Sequence, residues 1–297
     1  MCYFVLSQIV ATFIPDVAGV APRATPPEKS QLRLSDGASR EARPQGEVAE
    51  WSKAPVSKTG IPQGIESSNL SLSATRLDMN VIDKSLRILK SDKRFAALIK
   101  RHGEPDLKRG KNPFQALVRS IIHQQVSGAA ARTIDARFVA LFPKGKFPTP
   151  EMVTAMPLEK MRAAGLSGQK ASYIKDLAEK FSDGTIKHRL LHKMESADIV
   201  EHLTQVKGIG VWTVHMFLIF TLKRPDILPT LDLGIRKGFQ VLYKLKSLPD
   251  HAQMERRARP WREHASVASW YLWRVADEAK EKTTIRRAGR STRRTRE

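Results

Sequence analysis

From Met79 onward the apolar residues of this chain recur three and four positions apart, in segments bounded by Pro, Gly, Ser and Asp. That period puts apolar side chains on one face of a 3.6-residue helix, whereas a half-buried strand needs strict alternation, which no stretch sustains. The pattern predicts an all-α protein with helices over residues 82–101, 113–141, 150–164, 169–181, 196–206, 211–222, 231–244 and 261–280. Pro113 and Pro150 suit first-turn positions, where a missing N–H is no loss, and Gly165 and Gly184 suit helix ends. With 41% apolar residues among 297, there is material for a sizeable core.

Residues 1–78 read differently, because Pro, Ser and Gly recur and no helical period is sustained. Within them, residues 48–74, VAEWSKAPVSKTGIPQGIESSNLSLSA, resemble a bacterial transfer-RNA gene translated in an upstream frame, and a start at Met79 is expected on that reading. A flexible extension or an organelle-targeting leader is the alternative. The expected organisation is a leader over 1–78, a folded domain over 79–281 and a basic disordered tail over 282–297. A single cysteine, Cys2, excludes disulfide scaffolds and Cys-ligated clusters. No apolar run approaches the roughly 20 residues of a membrane-spanning helix, so no membrane partner is expected. A monomer in the cytoplasm, associated with a bacterial nucleoid, is the expected state.

The net charge of +21 lies entirely in residues 79–297, which hold 43 basic and 22 acidic residues, while 1–78 hold eight of each. Such a bias draws polyanions, with nucleic acid foremost and a solubilising surface as the bland alternative. The run over 286–296, RRAGRSTRRTR, would bind phosphates without sequence preference.

Residues 203–220, LTQVKGIGVWTVHMFLIF, end one helix at Val206, turn through Gly-Ile-Gly, and begin another at once. In this helix-hairpin-helix pattern Gly208 and Gly210 let the backbone turn tightly, and amides of the turn and helix start can face a phosphate. Ile209 would plug the core between the helices, Lys207 would add a cation, and Thr213 a further donor. An ordinary linker between helices is the competing reading. Further on, residues 227–238, ILPTLDLGIRKG, set Asp232 behind a Pro-containing loop at the start of a helix. It is either a helix cap or a catalytic carboxylate facing a pocket, and the two roles are compatible.

This order of hairpin, Gly/Pro-rich loop and Asp resembles the signature of the helix-hairpin-helix DNA glycosylase superfamily, and within it the 3-methyladenine DNA glycosylase II type. Residues 118–131, VRSIIHQQVSGAAA, resemble its wedge region, and residues 259–271, RPWREHASVASWY, its C-terminal helix. The likeness spans roughly 113–277. It implies two helical subdomains with a DNA-binding cleft between them, and double-stranded DNA with damaged bases as partner. It implies Asp232 as the catalytic aspartate and Trp212 and Trp270 as walls of the base pocket, with Met216 and Tyr271 beside them. Gln125 falls where a side chain fills the gap left by a flipped nucleotide, although the alkyladenine branch has an apolar residue there. Lys207, Gly208, Gly210 and Thr213 correspond to DNA contacts. The carbonyls of Thr204, Val206 and Ile209 correspond to a Na+ or K+ site, with no cofactor otherwise required.

Bifunctional members carry a lysine nucleophile two residues after the second hairpin glycine, where this chain has Trp212. The resemblance therefore implies a monofunctional hydrolase that releases alkylated purines and leaves an abasic site. A glycosylase for another damaged base, or a non-catalytic hairpin DNA-binding protein, is the alternative. Lys223 joins Lys207 as an expected phosphate contact, Arg119 and Arg236 read as DNA contacts or solvated charges, and His123 and His215 read as structural.

Overall fold

The computed structural model describes residues 79–294 except 106, 108–111 and 144–145, with side-chain surroundings over 81–285. The expectations for the leader and for Cys2 lie outside the described residues. Every element among those residues is helical. In chain order they are α1 (Met79–Lys90), α2 (Lys93–His102), α3 (Pro113–His123), α4 (Gly128–Ala140), α5 (Pro150–Ala155), α6 (Leu158–Ala163) and α7 (Gly168–Ser182). They continue as α8 (Ser196–Thr204), α9 (Val211–Phe217) running into a π turn (Leu218–Leu222), α10 (Leu233–Leu242), α11 (His251–Ala258), a 3-10 segment (Arg259–His264) and α12 (Ala265–Arg294).

Capping side chains explain where the longer periodic stretches divide. Asp92 accepts from the Arg94 amide at 2.8 Å and starts α2 inside what periodicity reads as one helix. Ser127 caps α4 after a turn in which Gln125 takes φ +56°, so residues 113–141 form two helices. Helix α11 escapes the sequence pattern because only Met254 and Ala258 of its eight residues are buried. Helix α12 runs through Arg294, into the residues of the basic tail. Extending an existing helix adds one hydrogen bond per residue without a new nucleus, and no Pro interrupts the run.

Two groups of helices share one continuous core. In the first, α7 packs against α3, α5 and α6, α4 packs on α3, and α9 on α8. In the second, the chain ends meet: α1 and α2 pack on α12, and α10 crosses α12. That crossing is close because position 238 has no Cβ; one built on Gly238 would stand 2.3 Å from the Leu272 carbonyl oxygen. Asp232 begins α10, and the loop before it leads out of the π turn after α9, so it stands where the groups join.

Candidate active site

Asp232 caps α10 with Oδ1, which accepts from the Ile235 amide at 2.8 Å. The same carboxylate takes two indole N–H bonds, from Trp212 Nε1 to Oδ2 at 2.7 Å and from Trp273 Nε1 to Oδ1 at 2.9 Å. The cap and the candidate catalytic group are thus one side chain, 2% exposed. Its chain neighbours Leu231 and Leu233 are exposed apolar residues, as is Val211 beside Trp212. A carboxylate buried this deeply acts strongly on a positive charge brought beside it.

Trp273 carries no role in the sequence reading. It stacks on Phe220 of the π turn at 5.8 Å between centroids and 25° between planes. A π turn widens the helix by one residue, and such turns gather at functional sites. The available signal was a third aromatic, three residues after Trp270. Trp270 itself lies edge-on to His102 at 6.5 Å, with the Arg274 guanidinium 4.5 Å above its ring centre. The hydroxyl of Tyr271 donates to the Gly103 carbonyl at 2.8 Å, and its burial pushes the phenol up to about 12. Tyr271 is wholly buried and fastens α12 to the end of α2, so its expected place in a pocket wall is corrected to a core role. Met216, 2% exposed, likewise belongs to the core side of α9. Of the expected pocket residues, only Trp212 is hydrogen bonded to Asp232.

In the hairpin the turn is carried by one glycine. Gly208 takes φ +79°, and a Cβ there would fall 2.0 Å from the Tyr173 ring. Gly210 has an ordinary φ of −99° and only open space where a Cβ would stand, which corrects the expectation that both glycines make the turn. Gly210 starts α9 without a side-chain cap, and the first internal bond is Val214 N to Gly210 O at 3.1 Å. The amides of Val211, Trp212 and Thr213 therefore have no acceptor within the helix. Lys207 is exposed, and its own amide donates to Asp176 Oδ2 at 2.9 Å. Ile209 is buried between the helices as expected. The side chain of Thr213 is only 4% exposed, and Lys223 only 2%, so neither reaches outward to a phosphate. Thr213 falls on the inner face of α9, and Lys223 follows the turn inward at φ +59°.

Gln125 is exposed in the α3–α4 turn, and its neighbour Gln124 donates through Nε2 to the Gly208 carbonyl at 2.9 Å. That bond ties the expected wedge to the hairpin. The carbonyls of Thr204, Val206 and Ile209 lie at the end of α8 and in the turn, where Val206 O accepts from Ile209 N at 3.1 Å. Among the described residues no cluster of His, Cys, Asp and Glu could hold a metal. No helix among them is long and apolar enough to cross a membrane. Burial lowers the pKa of buried His123 and of half-buried His215, which favours neutral rings. Arg119 pairs with Asp135 at 3.0 Å, and Arg236 donates to the Pro249 carbonyl at 3.1 Å.

Residues 118–263 match the HhH-GPD superfamily of base excision DNA repair proteins. DNA-3-methyladenine glycosylase 1 of Schizosaccharomyces pombe is 37% identical over 167 residues, covering 56% of this chain and 73% of that protein. The chain belongs to the HhH-GPD superfamily. Among solved structures, the S. pombe 3-methyladenine DNA glycosylase Mag1 in complex with abasic DNA is similar at a TM-score of 0.57 and 35% identity. That likeness covers 64% of this chain and 95% of Mag1. A DNA-3-methyladenine glycosidase from Bacillus halodurans is similar at 0.60 and 33% identity, over 66% of this chain and 91% of its own. The HhH-GPD match takes in Gln125, the hairpin and Asp232, and ends before Trp270 and Trp273.

Proposed function

We propose that this protein is a monofunctional DNA glycosylase that binds double-stranded DNA as a monomer. It turns a damaged nucleotide out of the stack and hydrolyses the N-glycosidic bond of an alkylated purine of the 3-methyladenine type. An abasic site remains. The observation that carries this reading is the Asp232 carboxylate, held by two indole N–H groups and a backbone amide one short loop from the hairpin.

A glycosidic bond inside a duplex is out of reach, and extrusion costs a few kcal/mol, less for a damaged or mispaired base. An alkylated purine carries a positive charge that weakens its bond to the sugar. The half-buried face of Trp212 favours such a cation by about 0.5–2 kcal/mol. As the bond breaks, positive charge develops on the sugar, and the fixed carboxylate of Asp232 stabilises it without reorganising. Water then attacks the sugar carbon and gives up a proton, and the released base carries away the bonding electron pair. With Trp212 at the position of the lyase lysine, water rather than an amine is the nucleophile. The Val206 carbonyl accepts one hydrogen bond and keeps a second lone pair, which suits a weakly held Na+ or K+.

The test uses the full chain on methylated duplex DNA, scoring free 3-methyladenine and 7-methylguanine, alkali-labile sites and borohydride-trapped complexes. Base release with strand breaks only after alkali, and no trapped complex, is the expected result. Tight duplex binding without release of any base would identify a binding module instead.

A further inference from the structure

We infer that one face of helix α7 holds the wedge turn and the hairpin in register, with Lys170, Tyr173 and Asp176 as positioning residues for nucleotide extrusion. The inference rests on the glycosylase reading above. The three residues lie three positions apart on a 15-residue helix, so they share a face. Each supports a different part of the DNA-facing surface.

Lys170 reaches under the end of α3, where its Nζ donates to the Ile122 carbonyl at 2.7 Å and the Gln124 carbonyl at 2.6 Å. Carbonyls at the end of a helix have no amide of the next turn to accept, and an ammonium is a strong substitute. Burial lowers the pKa of this ammonium, and the two carbonyls offset the water it gives up. Tyr173 fills the space beneath Gly208, and its hydroxyl accepts from Gln169 Nε2 at 2.7 Å. Asp176 accepts the Lys207 amide at 2.9 Å on one oxygen and the Lys180 ammonium at 2.6 Å on the other. Residues 122–124 of the wedge turn and residues 207–208 of the hairpin thus sit on one platform. Gln124, donating to the Gly208 carbonyl, closes the ring.

The platform accounts for Gln125. A left-handed φ of +56° in a non-glycine residue persists only where the surroundings determine it. Here the chain is pinned at the Ile122 and Gln124 carbonyls by Lys170 and across to the hairpin by Gln124, and the Gln125 side chain is left exposed. The hairpin's grip on a phosphate and the entry of Gln125 into the stack then occur at a fixed separation, so engaging one delivers the other.

The experiment places 2-aminopurine beside a tetrahydrofuran abasic residue in a duplex and compares the full-length wild type with Lys170→Met, Lys170→Arg and Asp176→Asn. Lys170→Met keeps the length of the stem and removes the donors. Its expected behaviour is affinity for undamaged duplex within about twofold of wild type and a fluorescence rise on binding the abasic duplex reduced about fivefold or more. Lys170→Arg, which keeps donors, recovers most of that rise, and Asp176→Asn lowers it independently should Lys170→Met fold poorly. Equal fluorescence from wild type and Lys170→Met overturns the inference alone. A fall that Lys170→Arg does not recover, tracking a loss of melting temperature, also overturns it, since that is a merely structural role. A wild type that binds duplex without opening it removes the glycosylase reading, and the inference with it.

Discussion

Helix α9 has seven residues, starts on an uncapped turn and shows Trp212 half buried, whereas α12 has 30 residues and packs Trp273 into the core. Both indoles end on the carboxylate of Asp232. The short helix is placed by neighbours close in the fold: the left-handed Gly208, the Tyr173 ring below it, and the bond from the Lys207 amide to Asp176. The long helix is placed by its register across α10, fixed where Gly238 meets the Leu272 carbonyl. A donor set by a local turn can be read along the chain. A donor set by the register of two distant helices cannot, and Trp273, less than one turn beyond Trp270, has no role in the sequence reading on that account.

The two hairpin glycines break this comparison most sharply. Gly208→Ala forces a Cβ into the Tyr173 ring at an unfavourable φ and should destabilise the protein by about 3 kcal/mol or more. Gly210→Ala meets open space and should stay within about 0.5 kcal/mol of wild type. Urea unfolding of both variants measures the difference, and equal losses would mean that the hairpin is not seated on α7. Next come the tryptophans. Trp212→Phe and Trp273→Phe each remove one N–H from a carboxylate, worth about 1.5–3 kcal/mol, so single-turnover base release should fall by about tenfold or more in each. Trp270→Phe, whose ring lies against His102 and Arg274, should fall by less. A larger loss in Trp270→Phe than in Trp273→Phe would mean that the pocket role expected of Trp270 outweighs the Trp273 bond to Asp232. The smallest effect belongs to Tyr271→Phe. Losing the bond to the Gly103 carbonyl should lower stability by about 1 kcal/mol and leave base release unchanged, as thermal unfolding and a release assay can check together.

Much of the fold was legible because helical periodicity and punctuation are local. Pro113 and Pro150 stand in the first turns of α3 and α5, and the left-handed Gly165 and Gly184 follow α6 and α7. Divisions made by caps such as Asp92 and Ser127 were hidden, because the apolar period runs on across them. The sparse apolar content of α11 hid a whole helix. At the site, Asp232 and Trp212 were readable from the hairpin and the loop that follows it. Which side of a helix faces inward was harder: Thr213, Lys223 and Tyr271 are ordinary polar or amphipathic residues that burial alone distinguishes. The α7 platform left no trace in sequence, since Lys170, Tyr173 and Asp176 match a common solvated helix face until tertiary contacts bring Ile122, Gly208 and Lys207 to them.

The central claim is that the charge on Asp232 drives bond cleavage. It is tested most directly by measuring single-turnover base release from methylated duplex by Asp232→Asn, alongside affinity for a duplex containing tetrahydrofuran. Asparagine keeps an oxygen to accept the Ile235 amide and gives up only the acceptor for Trp212 Nε1, so the fold should persist at some cost in stability, with affinity within about threefold of wild type. Release should fall by about 100-fold or more. Release by Asp232→Asn at the wild-type rate would contradict the account and leave Asp232 as a helix cap alone.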